Sequence, residues 1–348
     1  MKQLGVLLLT VILTGLTSCN SGPVTTHATG IAYEVIVVMD RAALESNAGE
    51  AIKQELTSPV AYLPQDEASL RTTYCPADQF DGMFKIVRNI LIVNINRDLY
   101  TKVSMLPEKD KWARGQMVVK LNAPDATSLE TYLAENKRTV VNLFTEEEMK
   151  RAAEFLTESY SPTVLEKVQA KFGISLYAPS DIKSSKEGEN CLWFSNDAPT
   201  GRMDLLIYTF PFTDKNTFTL DYLVEMRDSV AKQMIPGAFE GSYMSTEKRV
   251  VDYSASKLHG KYCGIVRGLW RMEGGDMMGG PFVSYARVDE ENKRVIVTEG
   301  FVYEPNKEKK NYIRRLEASL QTCLFPDELH GEVVVTHKAQ AKVESAVE

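Results

Sequence analysis

Apolar residues recur along the chain at two spacings, and the change from one to the other divides it into strands and helices. Residues 31–39, Ile90–Ile95 and Gln116–Leu121 are short runs rich in aliphatic and β-branched side chains, which predicts strands. Ala48–Leu56 has helical spacing. Pro124-Asp125 opens a further helix with Leu129, Tyr132 and Leu133 on one face. Thr145-Glu146-Glu147-Glu148 has the form of a capping box, placed ahead of an apolar stripe at Met149, Ala152, Ala153, Leu156 and Tyr160. Ser161-Pro162 breaks that helix and starts another that runs to about Phe172. These elements predict a first α+β lobe over 33–171.

A second α+β lobe is predicted over 172–325. Strands are expected at Asn190–Ser195 and Met203–Phe210, then a helix with Leu223, Met226, Val230 and Met234 in line, stopped by Pro236-Gly237. Strands follow at Gly264–Met272, Phe282–Val288 and Arg294–Tyr303, the last two joined by the hairpin residues Asp289–Asn292. A final helix from Asn306 would put Ile313, Leu316, Leu320 and Cys323 on its core side and end before Pro326. Each lobe is expected to be an antiparallel sheet packed with helices. The order in the second is similar to the PsbP/Mog1-like sandwich, a likeness of fold that carries no function. Residues 326–348 are mostly polar and are expected to form a loose tail.

The first residues follow neither spacing. Lys2 precedes thirteen largely apolar residues, Leu4–Leu16, the length of a signal-peptide core and too short to span a bilayer. Leu16-Thr17-Ser18-Cys19 follows, and it resembles the lipobox of bacterial lipoproteins. The resemblance implies removal of a signal peptide at 1–18 and attachment of palmitate-type acyl chains to Cys19. Residues 19–32 would then form a lipidated tether, uncharged and polar over its first part. Asn20 in place of Asp, and the lack of an acidic run after Cys19, point to an outer-membrane protein that faces the periplasm and meets the membrane through lipid on Cys19.

Composition narrows the remainder. Loss of Lys2 with the signal peptide takes the formal charge from −7 to −8, and no cluster of Lys and Arg is dense enough for nucleic acid. Cys75, Cys191, Cys263 and Cys323 remain after the anchor, an even number that permits disulfides in an oxidising compartment with three possible pairings.

The most unusual segment is 267–282. Arg267, Leu269 and Arg271 alternate with Gly268, Trp270 and Met272, so a strand would put both arginines on one sheet face. Four glycines then surround Asp276-Met277-Met278. This segment is the candidate binding site: Arg267, Arg271 and Asp276 to meet an anion or a partner, with Trp270 as an apolar platform, against the plainer reading of a long hairpin loop with solvated arginines.

Catalytic and cofactor signatures are sparse. The glycines are not followed by the Lys-Ser/Thr of a P-loop. Ser180-Asp181-Ile182-Lys183 and Ser254-Ala255-Ser256-Lys257 fit Ser-x-x-Lys but lack the companion motifs of the penicillin-binding enzymes. His-Glu-x-x-His and Cys-x-x-Cys are missing, so no metal site and no cofactor is expected. Trp112, Trp193 and Trp270 could line a sugar platform or fill the core. A carboxylate pair for glycan chemistry would be close in space without being close in sequence.

With Cys19, the two lobes and the 267–282 segment together, the chain resembles an uncharacterised Bacteroidota lipoprotein family, domain of unknown function 4837. The resemblance implies lineage and a cell-envelope location, and it supplies no catalytic residues. The expected function is a non-catalytic binding or assembly accessory with an envelope protein or glycan as partner. The alternative is a hydrolase of envelope glycan or lipid that uses cleft carboxylates.

Overall fold

A computed structural model describes residues 26–275 and 277–329. The expected signal peptide, Cys19, most of the expected tether, Asp276 and the expected tail from His330 onward lie outside the described residues.

The first lobe comprises β1 (Glu34–Met39), α1 (Arg41–Leu44), α2 (Asn47–Leu56), β2 (Arg71–Pro76), β3 (Asn89–Ile95), β4 (Ser104–Lys109), β5 (Met117–Ala123), α3 (Ala126–Glu135) and α4 (Thr139–Glu158). Its sheet runs in the order β2-β1-β3-β5-β4. It is an α+β lobe as expected, but the sheet is not antiparallel throughout: β2, β1, β3 and β5 pair in parallel and only the edge strand β4 runs against its neighbour. The cause is visible in the strands themselves. β1 and β5 are buried almost without interruption, which is what a parallel strand covered on both faces requires. One face packs Val35, Val37, Leu91 and Leu121 against Ile52, Leu129 and Phe144 from the helices. On the other face Ile36, Val38, Ile90 and Val118 lie beneath Phe80 and Trp112.

The second lobe comprises α5 (Pro162–Phe172), β6 (Ser184–Glu187), β7 (Cys191–Ser195), β8 (Arg202–Pro211), α6 (Leu220–Met234), β9 (Tyr243–Leu258), β10 (Lys261–Glu273), β11 (Gly279–Asp289), β12 (Arg294–Tyr303) and α7 (Lys310–Gln321). Its sheet has the order β6-β7-β8-β12-β11-β10-β9 and is antiparallel at every pairing. Helices α5 and α7 cover one face through Val164, Val168, Ile313, Leu316 and Leu320, and α6 covers the other through Leu223, Val224 and Ala231. Val164, Val168 and Phe172 share their core with Leu205 and Val302, so α5 packs with the second lobe and the expected start at 172 falls one helix too late. An amphipathic stripe states that a helix is covered, but not by which sheet. Strand β9 went unanticipated because it is a sheet edge, mostly polar and half-exposed.

A buried ion pair fixes α6. Arg227, 1% exposed, donates from Nε to both oxygens of Glu299 on β12 at 3.0 Å and from one terminal nitrogen to Thr246 at 2.9 Å, and its guanidinium lies 3.8 Å from the ring centre of Phe282. Burial pushes the Glu299 carboxyl up, and the guanidinium opposes that shift.

Two helices start where no local cap announces them. Helix α4 begins at Thr139, six residues before the expected box, because Glu55 on α2 accepts from the backbone N–H groups of Arg138, Val140 and Val141 at 2.9, 2.9 and 3.2 Å. Thr145 sits inside the helix and donates to the Asn142 carbonyl. Glu148, read as the box's second member, is buried and meets Arg88 and Arg151 at 2.8 Å. Helix α7 begins at Lys310 and not at Asn306, because the buried Glu67 of the first lobe accepts from the N–H groups of Lys309 and Lys310 at 2.7 and 2.9 Å. Cys75, Cys191, Cys263 and Cys323 are free, buried thiols. Burial pushes Cys263 and Cys323 up to about 12.

Replacing Glu67 by Ala leaves two helix-terminal donors without their charged acceptor and is expected to cost roughly 2 kcal/mol in urea unfolding. Thr145→Ala, in a helix interior, is expected to stay within about 0.5 kcal/mol of the parent. Equal effects of the two would contradict the assignment of caps.

Candidate functional site

The contact between the lobes leaves a cleft of about 580 Å³. One wall is the loop Val60–Leu63 and the α4 residues Asn142, Thr145, Glu146 and Met149; the other is the α7 side of the second sheet. Each wall is held in place by polar contacts across the interface. Tyr62 donates to Asp252 at 2.9 Å, Lys309 donates from Nζ to Gln65 at 3.1 Å, and Arg314 on α7 donates to the Ser69 carbonyl at 2.9 Å.

Three guanidinium groups line the cleft. Arg267 on β10 is paired with Glu317 on α7, which also accepts from the Tyr285 hydroxyl at 2.9 Å. Burial would lower the Arg267 pKa, but Glu317 and Tyr285 outweigh it and the shift is upward. Burial and Glu317 both drive Tyr285 up, so it stays a neutral donor. Arg138, in left-handed backbone at φ 63°, donates to Ser58 Oγ at 3.0 Å, the Pro59 carbonyl at 2.9 Å and Ser69 Oγ at 3.3 Å. Arg314 lies 4.0 Å from the centre of the Tyr33 ring and is 6% exposed. Its pKa is lowered, chiefly by burial and also by Arg138, although Tyr33 and Glu317 pull the other way.

The residues expected to form one site are separated by the strand's two faces. Arg267 enters the cleft. Trp270 points to the α6 side, is 3% exposed, donates its ring N–H to the Val302 carbonyl at 3.1 Å and packs edge-on against Phe301, so it is a core residue and not a platform. Arg271 lines a separate groove with Asp228, Lys232 and Tyr243, and pairs with Glu273 at 2.6 Å. Asp276 lies outside the described residues. The glycines have steric reasons: Gly274 and Gly275 take φ of 86° and 117° in the turn, and a Cβ on Gly280 would stand 2.0 Å from the Val302 carbonyl oxygen.

The other motifs resolve as local structure. Ser254 and Lys257 are three apart on β9, so their side chains leave opposite faces and the lysine cannot take the serine proton. Trp112 packs edge-on against Phe80. Trp193 donates to Asp204 at 2.9 Å beneath the Arg202 guanidinium. Among the described residues no group of three or more His, Cys, Asp or Glu is placed to hold a metal ion. Arg138, Arg314, Tyr33 and Glu67 were missed. Arg314 alone left a trace, as a charged residue beside the apolar stripe of a predicted helix, next to Ile313.

Residues 161–322 match the family model described as Domain of unknown function (DUF4837), so the second lobe is a domain of that family. Residues 28–157 match a second model, Domain of unknown function (DUF8532). No curated protein matches the chain. A solved crystal structure from Bacteroides thetaiotaomicron VPI-5482 is 13% identical with a TM-score of 0.22; the alignment spans 43% of this chain and 44% of that one.

Asp204 generates a test of the sheet beside the site. Its carboxyl is buried, which pushes it from 3.8 up to about 6 despite Arg202, Ser195 and Trp193. Oδ2 lies 3.1 Å from Arg202 Nε but is not aligned for a hydrogen bond. An acid raised on folding stabilises the native state fully below its unfolded value and loses that contribution as pH rises through its folded value. The parent is therefore expected to lose stability relative to Asp204→Asn between pH 4 and 6, by at most about 3 kcal/mol, and to keep a constant gap to it above that. Urea midpoints of both proteins across this range check it, and a gap independent of pH would refute it.

Proposed function

We propose that this chain is a lipid-anchored cell-envelope protein, held in the outer membrane through Cys19 and facing the periplasm, that serves as a non-catalytic binding or assembly accessory through the cleft between its lobes. The observation that carries the reading is that both lobes build the cleft and that two of its arginines, Arg138 and Arg314, have only neutral hydrogen-bond partners for their side chains. Binding groups convergent in a concave site mark recognition.

The position of the first described residues fits an anchor at Cys19. The backbone of Thr26 and Thr29 runs along Arg114 and Ile86, beside a turn at Gly82–Ile86 in which Met83 is 83% and Phe84 40% exposed. Seven residues from Cys19 to Thr26 reach at most about 25 Å, which holds this apolar turn near the lipid. For the alternative, a hydrolase of envelope glycan or lipid, the cleft offers Glu146 and Glu317, and Glu317 is already engaged by Arg267 and Tyr285.

Fatty-acid labelling of cells that express the parent or Cys19→Ala is expected to mark the parent alone, and equal labelling defeats the anchor. Crosslinking from membranes is expected to capture a partner that Arg138→Gln loses and Arg271→Ala, outside the cleft, retains. The reverse pattern would move the binding surface out of the cleft, and glycan hydrolysis lost on Glu317→Gln would establish the alternative.

A further inference from the structure

The two unneutralised arginines of the cleft define a ligand chemistry. Arg138 and Arg314 come from different lobes and converge on one residue: Arg138 donates to the hydroxyl of Ser69 and Arg314 to its carbonyl. Like charges brought together in a partly dry site repel, and each guanidinium raises the cost of the other. Elsewhere in this protein buried arginines are matched by acids, Arg227 by Glu299 and Arg287 by Glu328, and so is the partly buried Arg151 by Glu148. No carboxylate stands within 4.0 Å of either cleft guanidinium among the described residues. Glu55 meets Arg138 only at its backbone N–H and is spent on the start of α4. Glu317 is taken by Arg267 and Tyr285.

The donors are also incomplete. Arg314 uses one nitrogen on Ser69, and its Nε and second terminal nitrogen have no hydrogen-bond partner among the described residues. Neither atom is among the described residues' fully sealed, unpartnered atoms, and Arg314 is part of the cleft lining. Tyr33 beneath the guanidinium fixes its plane, and α7, capped by Glu67, fixes its root. Tyr62, Leu63, Ile265 and Ile313 form the apolar part of the lining, and Asn142, Thr145, Glu146, Ser256 and Gln321 form a polar part beside it.

We infer that the cleft is a phosphoryl-binding site, in which Arg138 and Arg314 hold the dianionic head of a phosphate monoester and the apolar part of the walls, Tyr62, Leu63, Ile265 and Ile313, holds the body that carries it. The inference rests on the reading of the cleft as the binding site and adds the class of ligand. A phosphate monoester carries close to two negative charges at pH 7 and several acceptor oxygens, which answers two guanidinium forks where a single carboxylate answers one.

The test uses the mature chain and inorganic phosphate, with acetate and chloride at equal ionic strength, read by titration calorimetry and thermal unfolding. Phosphate is expected to bind saturably and at least ten times more tightly than acetate, and to raise the melting temperature with its concentration. Arg138→Gln is expected to weaken phosphate at least tenfold and Arg271→Gln to leave it unchanged. Arg138 is half-exposed and Arg314 is buried, so Arg138→Gln is the less disruptive variant, and its thermal unfolding without phosphate checks that it is folded. Binding of glycerol phosphate in solution, compared with vesicles that contain phosphatidic acid, separates a soluble ester from a lipid headgroup. Phosphate no tighter than acetate, or Arg138→Gln indistinguishable from the parent, overturns the inference. If the crosslinked partner is still lost on Arg138→Gln in that case, the cleft reading survives; if it is retained, both fall.

Discussion

Two carboxylates of the first lobe decide where the two helices that flank the cleft begin. Glu55 ends the backbone of α4 with three accepted N–H groups, and Glu67 ends α7 with two, from the opposite lobe. Neither helix has a capping side chain of its own at its N-cap. A helix terminus left inside protein without acceptors is costly, and a carboxylate there also meets the positive end of the helix dipole. Glu55 acts within the first lobe, whereas the Glu67 bonds cross to the second, so directional, charged hydrogen bonds fix α7 at the junction. An apolar face alone would tolerate sliding; these bonds do not.

The cleft follows from that junction. Helix α7 brings Arg314 and Glu317 on successive turns, and its register relative to the first lobe places Arg314 against Ser69 and the Tyr33 ring. Arg138 is the N-cap residue of α4, so the Glu55 bonds that start the helix also set the root of its side chain. The same constraint thus orders the interface and positions the charges. On the far side of the second sheet a different device does comparable work: the Arg227–Glu299 pair ties α6 to the strands, with Phe282 and Thr246 completing the arginine's contacts.

What the sequence made legible divides along the same line. Helices with local caps were placed within a residue or so, as at Asp125 and Ser161, where a side chain accepts from its own helix. The two helices capped from a distance were misplaced, α4 by six residues and α7 by four, since no local pattern records Glu55 or Glu67. Apolar strands were found; the four edges β2, β4, β6 and β9, mostly polar or part-exposed, were not. Parallel pairing in the first sheet was missed although the near-continuous apolar runs of β1 and β5 carried the signal.

The candidate site shows the limit in its sharpest form. Period-two alternation correctly separated Trp270 from Arg267, but alternation says nothing about what lies opposite each face. On one side Trp270 met α6 and became core; on the other Arg267 met α7, was neutralised by Glu317 and came to line the cleft. Arg138 and Arg314 are 176 positions apart in the chain, and nothing in either neighbourhood hints that they share Ser69. Their common feature is what they lack. A guanidinium in a partly dry site without an acid is recognisable only once every acid around it has been accounted for, and that accounting requires the fold.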